Sequence, residues 1–262
     1  MQLYFKDLWL SFVLLALGSY LIGNINFARI ISKMKNKDIT KEGSGNPGTM
    51  NMSRTFGIKI GLLTLALDIL KGVVPTLFAR YFFDGMFFGD STLEVCINAQ
   101  YVAGFFVVLG HIFPISHNFK GGKGIATTIG VFLVAEPIVT VIFAVIALAY
   151  IFITAMGSMG SFIVTTPPAI AALVDIYNLG FRKDVNFEYG FTFFIITEVL
   201  IAAIIFLTWY AHRQNIKRLL AGEEHETGWL DMLHDLKAKK RAKRIQKLNQ
   251  KMYKESENLN DK

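Results

Sequence analysis

Apolar residues in this chain fall in long unbroken blocks, not in the alternating or single-face patterns of half-buried strands and surface helices. The blocks run from Leu8 to Ser32, Gly57 to Phe83, Glu94 to Phe113, Gly124 to Glu136, Pro137 to Ala155, Ser161 to Asn178 and Tyr189 to Tyr210. A helix rises 1.5 Å per residue, so about 20 apolar residues cross a bilayer upright. The pattern therefore predicts an all-α integral membrane protein, a seven-span helical bundle. Its fourth block is expected to form a short or half-span helix opening at a glycine cluster. The first block is too long for the apolar core of a cleavable signal and carries Asn24, Asn26 and Arg29 at its far end, so it reads as a retained span. Pro167-Pro168 predicts a kink in the sixth. Residues 1–222 form the membrane domain, and 223–262 a basic tail.

Composition agrees: 53% of residues are hydrophobic and only 18% charged, well to the apolar side of soluble proteins. The single cysteine, Cys96, lies inside an apolar block; it excludes an intrachain disulfide and a multi-cysteine metal site, and is expected to pack. Neither a metal nor another cofactor is expected. Seven spans place the termini on opposite faces, and the charges choose between them. Arg29, Lys33, Lys35, Lys37, Lys41, Arg54, Lys59, Lys120, Lys123 and the basic residues of the tail share one face, against Lys6, Arg80, Arg182 and Lys183 on the other. The crowded face is expected to be cytoplasmic and the N-terminus external. The tail has Trp229, Leu230, Leu233, Leu236, Ile245 and Leu248 at roughly helical spacing. It reads either as a segment lying on anionic lipid headgroups or as a solvated extension. Nucleic acid is not an expected partner.

The polar motifs all fall on that crowded face. Gly121, Gly122 and Gly124 bracket Lys123 just before a run that can be helical, so unobstructed N–H groups, a helix N-terminus and an ammonium converge where a phosphate would sit. The spacing is not that of a nucleoside triphosphate loop, and no hydroxyl follows the lysine directly. Between the first two spans, a glycine-rich stretch from Gly43 to Gly57 carries Ser44, Asn46, Asn51 and Arg54, whose guanidinium can fork onto a phosphate. After the seventh span, helical spacing sets His212, Asn215 and Arg218 on one stripe, a plausible anion-binding face. Ser158 and Ser161 stand at a helix entry, where capping is the default and contact of Ser158 with a substrate the alternative. Asp68 and Lys71 share a face of the second span and are expected to form a structural ion pair. Asn98 and Gln100 are expected to hydrogen-bond between helices.

Four of these motifs in order, G-S-G-N-x-G-x-x-N-x-x-R at Gly43 to Arg54, G-H-x-F-P-x-x-x-x-F-K-G-G-K-G at Gly110 to Gly124, the pair Ser158 and Ser161, and H-R-x-N-I-x-R-L at His212 to Leu219, resemble the bacterial acyl-phosphate:glycerol-3-phosphate acyltransferases, the PlsY family. The likeness covers roughly residues 8 to 224. It departs at Thr49-Met50, around Ser116, before Ser158 and in the tail. The resemblance implies transfer of a fatty acyl group from acyl phosphate to the 1-hydroxyl of sn-glycerol 3-phosphate, giving lysophosphatidic acid and phosphate, in a bacterial plasma membrane and by a monomer. It implies Gly121, Gly122, Lys123 and Gly124 as the acyl-phosphate cradle. Asn46, Asn51, Arg54, Ser158, Asn215 and Arg218 are implied for the glycerol 3-phosphate. Ser44, Lys123, His212 and His111 are implied for catalysis; the proton of the attacking hydroxyl is left to His212, His111 or a substrate oxygen. His111 reads equally well as a satisfied helix-end histidine. The alternative is a membrane transporter for an organic phosphate.

Overall fold

The computed structural model describes residues 2–89, 92–180, 187–223 and 227, with isolated positions beyond. Ten α-helices make up most of the described chain. They are α1 (Phe5–Asn24), α2 (Phe27–Met34), α3 (Thr49–Phe56), α4 (Ile58–Phe82), α5 (Val95–Ile112), α6 (Ile125–Ala135), α7 (Pro137–Thr154), α8 (Gly157–Gly180), α9 (Phe187–Ala211) and α10 (Arg213–Leu220). Six helical stretches are long and apolar enough to cross a bilayer, and α6, 11 residues long, is the short apolar helix expected of the fourth block. The structure refines two of these blocks. The first block is broken at Ile25, because Asn26 caps α2 by accepting a hydrogen bond from the Arg29 N–H at 3.0 Å. The sixth block begins at Gly157, and α8 runs on through both prolines. The spacing analysis of the tail falls outside the described residues, apart from an exposed Ile245.

Helix α5 is the hub: it is the most buried of the spans and packs against α1, α4, α6 and α9. Lipid tails are as apolar as leucine, so helices in a bilayer hold together chiefly by close packing and hydrogen bonds. Both are present. Gly72 of α4 and Gly130 of α6 face each other so closely that a Cβ on either would run into the other helix's backbone, at the carbonyls of Thr127 and Ile69. Gly23 and Gly110 bring α1 against α5 in the same way. Asn98 donates to the Thr197 hydroxyl at 3.0 Å and Arg80 to Gln100 at 3.2 Å, so both amide side chains of the third block bridge helices as expected. Cys96 is buried and unpaired in a disulfide. We expect Gly130→Val to destabilise the protein by about 1–3 kcal/mol, the usual cost of forcing bulk into a packed interior. Thermal unfolding in detergent checks this; an unchanged midpoint would mean that α4 and α6 separate freely.

Candidate active site

All the polar motifs meet at one end of the bundle. The first is shaped by Asn51, which is buried and committed to the chain itself: its amide donates to the carbonyls of Ile39 and Glu42, and its oxygen accepts from the Ser44 N–H at 3.0 Å. Both amide protons are thereby used, so Asn51 fastens the 39–44 loop and has no N–H left for a glycerol phosphate. The second motif is tied back in a similar fashion. The N–H of Gly121 donates to the carbonyl of Ile112 and that of Gly122 to the carbonyl of His111. These two groups close the loop onto the end of α5 instead of pointing at a ligand, which corrects their assignment as phosphate donors. The donors that remain lie one step on. Gly124, in the left-handed region at φ 83°, starts α6, and a helix start leaves its first N–H groups without intrahelical partners.

A cavity of about 370 Å³ opens at this junction. Its polar wall is formed by Ser44, Asn46, Arg54, Lys123, His212 and Arg218, with Asn51, His111, Ser158 and Asn215 also on its lining. Every sequence-predicted site residue except Gly121 and Gly122 therefore touches one space. Its other wall is apolar, made of Leu65 and Ile69 from α4, Ile129 from α6, and Ala144, Leu148 and Ile151 from α7. Leu148 on this wall is 44% exposed, so α7 separates this slot from the outer surface of the bundle by no more than its own thickness.

A chain of two short hydrogen bonds crosses the polar end. The Lys123 ammonium donates to the Asn215 oxygen at 2.6 Å, and the Asn215 amide donates to the Ser158 hydroxyl at 2.6 Å. Three segments distant in sequence, the glycine loop, α10 and the first turn of α8, are thus bound at one point. Ser158 accepts from another helix at this point, and Ser161 donates to the Gly157 carbonyl at 3.0 Å. Arg54 and Arg218 bring two further cations to the cavity.

The two histidines present opposite faces. His212 Nδ1 lies 2.9 Å from the Thr208 carbonyl, which only accepts, so Nδ1 carries the proton and Nε2 keeps a lone pair. Burial, reinforced by the Lys123 charge and opposed by that hydrogen bond, pushes the His212 imidazole down to about 4. The neutral ring persists across the physiological range. An unfolded histidine, at its ordinary 6.5, takes up a proton first. The folded state should therefore lose about 3 kcal/mol as pH falls from 6.5 to 4, and nothing more from this group below that. His212→Gln should lack this part of the pH dependence of the thermal midpoint; an unchanged profile in the variant would refute it.

His111 is buried at the end of α5, and its Nδ1 lies 2.7 Å from the Lys71 ammonium. Lys71 in turn lies 3.0 Å from the Asp68 carboxylate and donates to the Ile25 carbonyl at 2.9 Å. The expected Asp68–Lys71 pair is present, and it has a third member that spacing could not reveal, since His111 is 40 residues away. Sequence reasoning also missed Thr227. Its N–H donates to the Ala155 carbonyl at 2.9 Å, its methyl lies over Gly157, and it is buried on the cavity wall.

Comparison with known proteins puts this geometry in context. The family model for glycerol-3-phosphate acyltransferase matches residues 13–222. A glycerol-3-phosphate acyltransferase of Agrobacterium fabrum is 38% identical over 216 residues, 82% of this chain and 91% of the relative. That of Mycoplasmopsis pulmonis is 36% identical over 217 residues, 81% and 92% of the two chains. Among solved structures, the integral membrane glycerol 3-phosphate acyltransferase PlsY superposes in its glycerol 3-phosphate form with a TM-score of 0.64 and 33% identity, covering 85% of this chain and 98% of that one. Its lysophosphatidic acid form gives 0.63. Matches of this extent replace the transporter alternative with an enzyme. The chain belongs to the glycerol-3-phosphate acyltransferase family of integral membrane proteins, the PlsY family.

Proposed function

We propose that the chain transfers an acyl group from acyl phosphate to the 1-hydroxyl of sn-glycerol 3-phosphate, releasing lysophosphatidic acid and inorganic phosphate at the cytoplasmic membrane face. The observation that carries this reading is the Lys123–Asn215–Ser158 chain inside a cavity with two further cations at one end and an apolar slot at the other. A phosphorylated fatty acid has that same division. Its phosphate would meet Lys123 and the N-terminus of α6, and its chain would enter the slot from the bilayer. Arg54 and Arg218 suit the phosphate of the acceptor, with Ser44 and Asn46 nearby for its hydroxyls. The clustering of lysine and arginine at this end supports a cytoplasmic orientation.

The chemistry needs no covalent enzyme intermediate. The acceptor oxygen attacks the acyl carbonyl carbon, the carbon–oxygen bond to phosphorus breaks, and phosphate departs with the electron pair. His212 Nε2 is the available lone pair for the hydroxyl proton, which passes on to the departing phosphate. Lys123 stabilises the charge that collects there. Purified protein given acyl phosphate and glycerol 3-phosphate in detergent should release phosphate and form lysophosphatidic acid in equal amounts. Release without the lipid product, or no release, defeats the proposal.

A further inference from the structure

The group Asp68, Lys71 and His111 is a deeply buried polar assembly at the site, and the acyl transfer just described makes no use of it. Side-chain exposure is 4%, 1% and 5% for the three. Two of them, Asp68 and His111, touch the cavity. An ammonium is a donor only, so the 2.7 Å contact with Nδ1 requires that nitrogen to accept. The imidazole proton is then on Nε2. That atom abuts the glycine loop so closely that a Cβ on Gly122 would collide with it, while the same residue's carbonyl receives the Gly122 N–H. The ring thus sits directly under the loop that carries Lys123.

We propose that Lys71, held by Asp68, is a positioning residue for acyl transfer: its ammonium occupies Nδ1 of His111 and fixes the imidazole as an Nε2–H donor beneath the glycine–lysine loop, where it stabilises charge developing on the donor's phosphate. This rests on the acyl-phosphate reading above. It also divides the labour of the two histidines. His212 presents a lone pair at Nε2, and His111, with its other nitrogen taken, presents a proton. His111 is therefore not the base, and its partners serve to keep it from becoming one. A simple helix-stapling role would require the ion pair but would be indifferent to the tautomer.

The experiment joins nitrogen-15 NMR of the histidines, in detergent-purified protein, with phosphate-release kinetics. Wild type should show His111 protonated at Nε2 and bare at Nδ1. The double variant Asp68→Asn/Lys71→Met removes both charges together; it should show mixed tautomers and a kcat lower by about 10²-fold, the scale for losing one donor to developing charge. Its KM for glycerol 3-phosphate should stay near wild type. Should the double variant fail to fold, His111→Gln and His111→Asn decide: Gln places an amide N–H near Nε2, Asn near Nδ1, and Gln should retain at least tenfold more kcat. A wild-type His111 protonated at Nδ1, an unimpaired double variant, or Asn performing as well as Gln overturns the inference while leaving the reaction intact. Wild type that releases no phosphate from acyl phosphate overturns the donor assignment and the inference with it.

Discussion

Lys123→Met should lower kcat for acyl transfer by about 10²–10³-fold, the loss expected when one fixed donor to a developing anion is removed. Methionine nearly matches the lysine stem in length, so the cavity keeps its shape and only the ammonium is lost. Two consequences separate this from general damage. The Asn215 oxygen loses a partner 2.6 Å away, yet Asn215 keeps its bond to Ser158, so the wall stays assembled. The positive charge that helps hold His212 down to about 4 also disappears. The acid limb of the pH–rate profile should therefore move upward, toward the ordinary histidine range, though not all the way, because burial is the larger cause. Arginine at this position restores charge without the compact ammonium and should recover only part of kcat. Steady-state kinetics across pH, with acceptor saturating, check all three statements. A methionine variant within a few-fold of wild type would remove Lys123 from the chemistry.

Breaking the buried ion pair should have the largest effect on stability. Asp68→Leu alone leaves the Lys71 ammonium, 1% exposed, with no anionic partner, only the Ile25 carbonyl, His111 and the face of the Phe27 ring beside it. An uncompensated buried charge of this kind costs about 3–5 kcal/mol. Adding Lys71→Met should return most of that loss, since desolvating two charges consumes much of what their attraction supplies. Thermal unfolding of the single and double variants in one detergent measures the difference. If the single variant is as stable as the double, water or lipid headgroups reach Lys71 and the pair is not sealed.

How far the sequence carried this picture depended on distance along the chain. The helices were legible because a bilayer demands about 20 consecutive apolar residues, a local property that seven blocks display openly. Asp68 and Lys71 were legible as partners because three residues is one helical turn. Asn98 and Gln100 announced themselves by being amides in an apolar run. The site residues were legible by type and motif, but their duties were not. Gly121 and Gly122 look like phosphate ligands until their N–H groups are found bonded to the end of α5, and nothing in the spacing of Asn51 tells that both its amide N–H groups fasten its own loop. No spacing rule joins Lys71 to His111 or Thr227 to Ala155, because those contacts exist only after helices pack.

The slot behind the polar wall is lined on one side by α7, whose Leu148 is also exposed on the bundle. An amphiphile that seats its tail there never needs to leave the membrane to react. For such a molecule the relevant concentration is its mole fraction among lipids, not its molarity in the surrounding buffer. Diluting the bilayer with inert lipid should slow turnover even when the total amount of donor in the tube is held constant, whereas the acceptor, arriving from water, will obey ordinary bulk saturation.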